Sequence, residues 1–386
     1  MISGPHIGEN DEASNAHPGV KMRSNDSTKE VRTMSKEMKR RDFLKASAAA
    51  GAVLVAGDLM KGGVSRAQGG VKIPEAEKAT VTVLADNFYS CAVPSKGIAK
   101  RYLIGPQAPI MDYGLHAEHG VAFHVETVVN GVSHAFIFDF GTDPQGVLRN
   151  MDLLNIDYSK LEALTLSHGH WDHYMTLIDL LKAKRPMIRK GIPLYVGEES
   201  FVERFWRRPD KEIHSLGTLK RKDVEALGLV EIVEVKDPTP IVPGAYMSGT
   251  IDMVTEYEKG QPPLLIKRGD QFEQDFFIGE QAVVLNIKGK GPVVLNGCAH
   301  RGVANAVKQA QKITGSEKVH AVLGGLHLMW AKPEVIQSTI ADIKAASPDY
   351  VVPNHCSGFE ATVAFATEMP DQFMFSTVGT QFTFGG

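Results

Sequence analysis

The chain reads as a layered α/β protein, and three observations carry that reading. Short β-rich runs alternate with segments of helical spacing, the alternation occurs in two similar halves, and histidines stand at the ends of several β-rich runs. The 386 residues allow two ordinary domains or one large one. With 43% hydrophobic and 23% charged residues, a sizeable core is available, which excludes wholesale disorder and a coiled coil. No apolar run reaches the roughly 18 residues of a membrane-spanning helix, which excludes a polytopic membrane protein. Residues 1–67 carry 11 Lys/Arg against 8 Asp/Glu, whereas the remainder carries 31 against 37. An acidic body lacks the basic footprint of a nucleic-acid binder. Three cysteines cannot build a disulfide framework, so the fold stands on its core, and the unusual figure is 14 histidines.

Residues 1–33 are polar and without periodicity; they read as disordered, or as lying upstream of a start at Met34 or Met38. Lys39-Arg40-Arg41-Asp42-Phe43-Leu44-Lys45 then leads into an Ala/Gly-rich apolar stretch, Ala46 to Ala56, and Ser65-Arg66-Ala67 supplies small residues for cleavage. This order of basic, apolar and small-residue regions describes a secretory signal. The paired arginines resemble a twin-arginine leader, which implies the twin-arginine export machinery as a partner. Cleavage near Ala67 then gives a periplasmic or otherwise exported protein without stable membrane insertion. A linker follows at 68–78, and the body is expected at 79–386.

Ala79–Leu84 is β-rich and ends at Asp86-Asn87, and Cys91–Gly120 reads as a loop. Val121–Val129 and Val132–Phe140 alternate around Asn130-Gly131, the strongest short hairpin signal. A helix is expected at Gly146–Leu154, a buried strand at Leu161–Leu166, a helix over Tyr174–Lys184, a strand at Ile192–Val196 and a helix at Glu199–Arg207. Residues 208–270 are the least regular part and suit a binding mouth. Strands follow at Ala282–Ile287 and Pro292–Leu295, then a helix at Val303–Ile313, a strand at Val319–Leu323, a helix at Pro333–Ala346 and a last core strand at Tyr350–Val352.

The chemistry concentrates in Ser167-His168-Gly169-His170-Trp171-Asp172-His173, immediately after a predicted buried strand. His168 and His170 alternate on an extended turn and converge on one ion; Asp172 and His173 stand where a helix begins and turn toward a second. Imidazoles and a carboxylate suit zinc, and also iron or manganese. Further histidines end other strands: His300 in Asn296-Gly297-Cys298-Ala299-His300, His355 in Asn354-His355-Cys356, and His327 after Gly324-Gly325-Leu326. In layered α/β folds, sites gather at the carboxyl ends of strands. His327 is open between a ligand, a donor behind the ligands and a substrate contact. His119 borders the pocket, whereas His116, His124 and His134 read as strand or loop residues, and Lys267-Arg268 as a solvated pair.

The string His168-x-His170-x-Asp172-His173, with Asp139 on the preceding hairpin, resembles the metallo-β-lactamase superfamily. Glu118-His119-Gly120, Asn296-Gly-Cys-Ala-His-Arg-Gly302, Gly324-Gly-Leu-His327 and His355-Cys-Ser-Gly358 further resemble its dihydropterin (ribofuranosyl)aminobenzene-phosphate synthase-like branch. That resemblance implies a four-layer αββα sandwich with a metal centre at one edge of the two sheets. It implies a first ion on His168, His170 and His300, and a second on Asp172, His173 and His355. Asp139 would accept a hydrogen bond from a ligand histidine and fix its tautomer. Two positions depart from the superfamily pattern. Cys298 follows Gly297 where an Asp usually bridges the ions, and is either a thiolate ligand or a small buried residue. Tyr174-Met175-Thr176 replaces the common Thr-Gly-Gly, which is expected to narrow the pocket floor.

A cation with an open position lowers the pKa of bound water to about 7. The expected function is therefore an exported metal-dependent hydrolase that uses metal-bound hydroxide on a small ester, lactone, amide or phosphoester, with Asp172 orienting the nucleophile. Divalent metal is expected as one or two ions, zinc first. An iron-dependent redox enzyme and a non-catalytic metal-binding protein are the alternatives, and a pterin synthase ranks below them.

Overall fold

Alternating apolar residues build most of the strands, and parallel pairing then brings the polar strand ends to one edge. The structure, a computed structural model, describes residues 74–102 and 114–386. The leader and the start of the linker lie outside the described residues, as does part of the Cys91–Gly120 loop. In the first half, β1 (Lys78–Ala85), the short β2 (Ala99–Lys100), β3 (Ala122–Val129) and β4 (Val132–Phe138) precede α1 (Pro144–Leu153). Asn130 and Gly131, at φ 52° and 72°, join β3 to β4 with Val129 opposite Val132. This is the left-handed two-residue turn that Asn-Gly favours. Asp143 caps α1 by accepting from the Gln145 N–H, and Pro144 sits in the first turn, where its missing N–H has no intrahelical partner to lose. There follow β5 (Leu161–Leu166), α2 (Trp171–Tyr174), α3 (Leu177–Ala183), β6 (Ile192–Gly197), β7 (Arg204–Arg207), β8 (Ile213–Ser215), α4 (Arg221–Glu225) and β9 (Val230–Val235).

The second half contains β10 (Thr239–Val242), β11 (Ala245–Met247), β12 (Leu264–Arg268), β13 (Gln271–Gln274), β14 (Ala282–Ile287) and β15 (Gly291–Asn296). These lead to α5 (Val303–Thr314), β16 (Ala321–Gly325), α6 (Pro333–Ala345), β17 (Tyr350–Asn354), α7 (Phe359–Glu368) and β18 (Gln381–Gly385). An eight-stranded sheet has the order β2-β18-β1-β3-β4-β5-β6-β9, and a six-stranded sheet the order β10-β11-β14-β15-β16-β17. A small sheet, β13-β12-β7-β8, stands apart from both.

Three apolar layers make this the four-layer αββα sandwich. Between the sheets, Val81, Val83, Phe123, Phe136 and Phe138 meet Met247, Val283, Leu285, Leu295, Leu323 and Val352. On the outer face of the larger sheet, Val147, Met151, Leu177, Leu180 and Leu181 pack on Ile137, Leu164 and Leu194. On the outer face of the smaller one, Val303, Val307, Ile336, Ile340 and Phe365 cover Val284, Val294, Val322 and Val351. Each fully buried aliphatic or aromatic side chain of this kind contributes roughly 1.5–3 kcal/mol. Among the described residues, no helix is long and apolar enough to cross a membrane.

β4, β5, β6 and β9 run parallel, as do β15, β16 and β17. The segments just beyond β4, β5, β15, β16 and β17 carry Asp139, His168–His173, Cys298–His300, His327 and His355, so parallel pairing delivers them as a group.

The structure corrects three local expectations. Glu199–Arg207 is not a helix: Arg204–Arg207 is a strand held between β12 and β8, with Phe205 packed edge-on against Phe272. Tyr174–Lys184 is interrupted at Met175-Thr176, leaving the separate helices α2 and α3. Residues 208–270 are more ordered than their composition implies, since they contain β8 to β12 and α4.

Candidate metal centre

The turn after β5 is built to converge side chains. Asp139 lies at the end of β4 with φ 60° and is fully buried. One carboxylate oxygen accepts from the Ser167 N–H at 2.7 Å; the other accepts from Ser167 Oγ at 2.7 Å and from His173 Nδ1 at 2.7 Å. The Ser167 hydroxyl, having given its proton to Asp139, accepts from His168 Nδ1 at 2.9 Å. Both rings therefore carry their proton on Nδ1 and turn a free Nε2 lone pair inward, an assignment made from the hydrogen-bond pattern. Gly169 permits the turn, since a Cβ there would stand 2.3 Å from the Ser200 carbonyl.

His168, His170 and His300 form the first group, and their ligand atoms lie within 4.8 Å of one another. Their ring centroids are 4.7–4.8 Å apart, and His168 Nε2 faces His300 Nε2 at 3.1 Å. His170 Nε2 is buried without a hydrogen-bond partner. Burial holds all three well below the ordinary histidine range, with Arg204 adding to it and Asp172 opposing it at His170. They are thus neutral, with lone pairs available to a cation.

Asp172, His173 and His355 form the second group, again with ligand atoms within 4.8 Å. Asp172 Oδ2 is 3.4 Å from His355 Nε2 and 3.9 Å from His173 Nε2. Burial pushes the Asp172 carboxyl up, but His173 and His355 together hold it below the usual carboxylate range. Burial lowers His355, yet Cys356 and Asp172 outweigh it and lift the imidazole to about 9. His173 is likewise raised: burial opposes its charge, and Asp139 and Asp172 overcome that. This half of the centre favours positive charge, and Nδ1 of the buried His355 has no hydrogen-bond partner.

Cys298 stands where the two groups meet. Its Sγ is 3.2 Å from His173 Nε2, and it shares 4.8 Å groupings with His168 and His173, with His300 and His327, and with His355 and Cys356. Burial pushes its thiol well above the ordinary range. His327 lies tilted against His300, with centroids 3.9 Å apart and planes 48° apart, and its Nε2 meets Gln261 Oε1 at 2.6 Å. His119 is half-exposed, with Nε2 3.6 Å from Asp172 Oδ2 and its ring 5.1 Å from His355, so it borders the centre from the open side. His124 is buried in β3, His134 pairs with Glu162, and His116 lies beside Glu118 and Asp143. Arg268 is exposed and pairs with Glu199 and Glu273.

Tyr174 and Met175, with Trp171, Ile178 and residues 215–220, line a cleft whose walls include none of the six ligand-type residues.

Several supporting residues escaped the sequence reading. Phe277 lies flat on His300, with centroids 3.8 Å apart and planes 4° apart, and edge-on to His168 and His170. Behind it, the buried Arg204 donates from Nε to Asp275 Oδ2 at 2.7 Å and passes 5.5 Å from the Phe277 ring. Glu280 accepts from the His300 and Arg301 N–H groups, both at 2.7 Å, and burial raises its carboxyl to about 7. Asp86 accepts from the His355 N–H at 3.0 Å. Asp86-Asn87 marked only a strand end in the sequence, and Glu280 lay in an unremarkable polar stretch. Asp139, Phe277, Ala299, His327 and His355 all hold left-handed φ of 46–63°. Such backbone strain persists where the surroundings over-determine it, and it clusters at functional sites.

Comparison with known proteins agrees with this picture. The twin-arginine translocation pathway signal sequence pattern matches residues 37–57, and the metallo-beta-lactamase superfamily pattern matches residues 122–261, which include His168–His173. The 7,8-dihydropterin-6-methyl-4-(beta-D-ribofuranosyl)-aminobenzene-5'-phosphate synthase of Methanocaldococcus jannaschii is 32% identical over 268 residues, which span 67% of this chain and 87% of that protein. A ribonuclease Z of Thermococcus sibiricus is 34% identical over a shorter stretch of 101 residues, 23% of this chain and 32% of its own. Among solved structures, one described as a metal-dependent hydrolase of the beta-lactamase superfamily superposes with a TM-score of 0.61 at 21% identity, covering 80% of this chain and 100% of that one.

Proposed function

The chain belongs to the metallo-β-lactamase superfamily, in its dihydropterin (ribofuranosyl)aminobenzene-phosphate synthase-like branch, and from that premise we propose that it is an exported hydrolase holding two divalent cations. Its proposed substrates are small esters, lactones, amides or phosphoesters. The observation that carries the reading is the pairing of two donor groups. Three neutral imidazoles converge on one point, and beside them Asp172, His173 and His355 form a pocket that favours positive charge.

The donor set fits a cation. His170 Nε2 and His355 Nδ1 are buried without a hydrogen-bond partner, and bringing His168 Nε2 to 3.1 Å from His300 Nε2 suits a shared positive centre. We assign His168, His170 and His300 to one ion and Asp172, His173 and His355 to the other, with Asp139 fixing the His173 tautomer. Cys298 adds a soft donor between them, which favours zinc over manganese. When bound, such ions act as Lewis acids and make water nucleophilic at neutral pH. Asp172 Oδ2 orients the attacking water, while His327 and His119 contact the polar end of the substrate. Burial of the six ligand-type residues to 7% exposure or less keeps bulk water from the reacting groups.

The twin-arginine signal directs export, and we propose a periplasmic protein cleaved near Ala67, with residues 68–78 as linker and 79–386 as the catalytic body. Its substrate differs from that of the archaeal synthase in this proposal, because an exported enzyme meets a different pool of substrates. Leader-free protein loaded with zinc should hydrolyse at least one class in a panel of carboxylic esters, lactones, amides and phosphodiesters. His170→Ala and Asp172→Ala should each lower that turnover by two or more orders of magnitude. Tight metal uptake with no turnover, or oxygen consumption by the iron-loaded protein alone, would overturn the hydrolase reading.

A further inference from the structure

Two buried carboxylates that supply no ligand atom each grip a turn that does. Asp86, 2% exposed at the carboxyl end of β1, accepts through Oδ1 from the His355 N–H at 3.0 Å and the Asn87 N–H at 2.7 Å. Its Oδ2 accepts from Ser376 Oγ at 2.8 Å, and Asn87 Nδ2 donates to the His355 carbonyl at 2.8 Å. Both backbone polar groups of His355 are thereby fixed from a segment about 270 residues away, while its φ is held at 46°. Glu280, 2% exposed just before β14, does the same for the other group. Its two oxygens accept from the His300 and Arg301 N–H groups, and the preceding Ala299 is held at φ 63°.

Among the described residues no Lys or Arg forms a direct ion pair with either carboxylate; the Arg301 guanidinium donates to the Ile251 and Phe276 carbonyls. A buried acidic group is costly unless its oxygens are hydrogen-bonded, and here backbone N–H groups of the ligand-bearing turns supply those bonds. A left-handed non-glycine turn held by an acceptor on another element fixes the direction in which its histidine's Cα–Cβ bond leaves the backbone. Asp86 is matched in this way to the Asp172/His173/His355 group, and Glu280 to the His168/His170/His300 group.

Resting on the two-cation reading above, we infer that Asp86 and Glu280 are positioning residues, one for each cation, which set affinity site by site through the backbone of His355 and His300. Asp86→Ala selectively weakens the ion held by His355, and Glu280→Ala the ion held by His300. The size expected for losing a partner behind a ligand is about 10–100-fold in metal affinity. Asp86→Asn keeps an oxygen facing the His355 and Asn87 N–H groups and can donate to Ser376 Oγ, so it should stay within about threefold of the parent. Glu280→Gln keeps one acceptor but points an amide N–H at the Arg301 N–H, so it should fall between the parent and Glu280→Ala.

The test is stepwise zinc affinity by chelator competition on the leader-free chain, with visible spectra of the cobalt-loaded protein to report which coordination environment changes. Asparagine and glutamine variants cover the case in which an alanine variant fails to fold. The expected result is a crossed pattern: Asp86→Ala loses one binding step, Glu280→Ala loses the other, and Asp86→Asn is rescued. Unchanged affinities in both alanine variants, equal loss of both steps in each, or an Asp86→Asn as weak as Asp86→Ala would overturn the inference. A parent protein that takes up no metal would instead bring down the two-cation reading, and this inference with it.

Discussion

Replacing Arg204 by Met probes how the centre is held from behind. Arg204 is 2% exposed and Asp275 1%, and their Nε–Oδ2 bond is 2.7 Å. Arg204 Nη1 also donates to the Glu199 carbonyl at 2.9 Å, while Asp275 Oδ1 caps the Phe277 N–H at 2.7 Å. Methionine retains much of the buried volume but leaves Asp275 as an uncompensated buried charge, so breaking the pair should cost roughly 3–5 kcal/mol. The loss should also reach the metal centre, because Phe277, whose N–H Asp275 caps, lies flat on His300. Urea unfolding, read as a shift in midpoint at constant slope, measures the stability. Adding Asp275→Asn to Arg204→Met removes the stranded charge and keeps an acceptor for the Phe277 N–H. That second change should therefore return about 1–3 kcal/mol, a coupling that a double-mutant cycle isolates. An Arg204→Met protein within about 0.5 kcal/mol of the parent, or a double variant no more stable than Arg204→Met alone, would refute the reasoning.

Three further outcomes follow from the same geometry. Asp139→Asn should fold but present an amide N–H where His173 Nδ1 now donates, driving the His173 proton to Nε2; zinc affinity at that ion should fall about 10–100-fold by chelator competition. His124 is buried in β3, and burial lowers its pKa from 6.5 to about 4. The unfolded chain therefore binds the extra proton first, and stability is lost as pH falls from about 6.5 toward 4, amounting to about 2 kcal/mol between pH 7 and 5. His124→Gln should flatten that part of the pH profile in urea titrations. Gly297→Ala would place a Cβ 2.3 Å from Ser167 Oγ and 2.5 Å from Asp139 Oδ2, whereas Gly131→Ala meets nothing within 4 Å and bears only a φ of 72°. Thermal unfolding should show the second losing about 1 kcal/mol and the first clearly more.

Much of the fold was legible wherever a strand's own residues determine its burial. Leu161–Leu166 and Ala282–Ile287 stand at the expected bounds, and Asn130-Gly131 closes the expected hairpin, because apolar runs and a left-handed turn are local properties. The small sheet was not legible. Arg204–Arg207 and Leu264–Arg268 pair with each other from about 60 residues apart, which joins two short local hairpins into one sheet, and the charged ends of both resemble solvated surface. β18 was missed for a related reason: Gln381–Gly385 is completed by its pairing with β1, about 300 residues earlier.

The centre divides along the same line. Histidines at strand ends stand out because imidazole is scarce and the parallel halves are visible as alternation. Asp86, Glu280 and the Arg204–Asp275 pair do not, since in a sequence a buried carboxylate looks like any surface acid. Their meaning arises only when strand ends from distant segments meet and leave backbone N–H groups that need an acceptor. Cys298 is a middle case: its position after Gly297 was conspicuous, but its place between two ligand groups is a property of the assembled sheets.

The most direct measurement is the metal-to-protein ratio of leader-free chain after equilibration with zinc and removal of loosely bound ion. Two tightly held equivalents are expected, dropping by one in His168→Ala and by one in His355→Ala, with little left in the double variant. A folded parent chain that retains no zinc, or a double variant that retains both equivalents, would contradict the account.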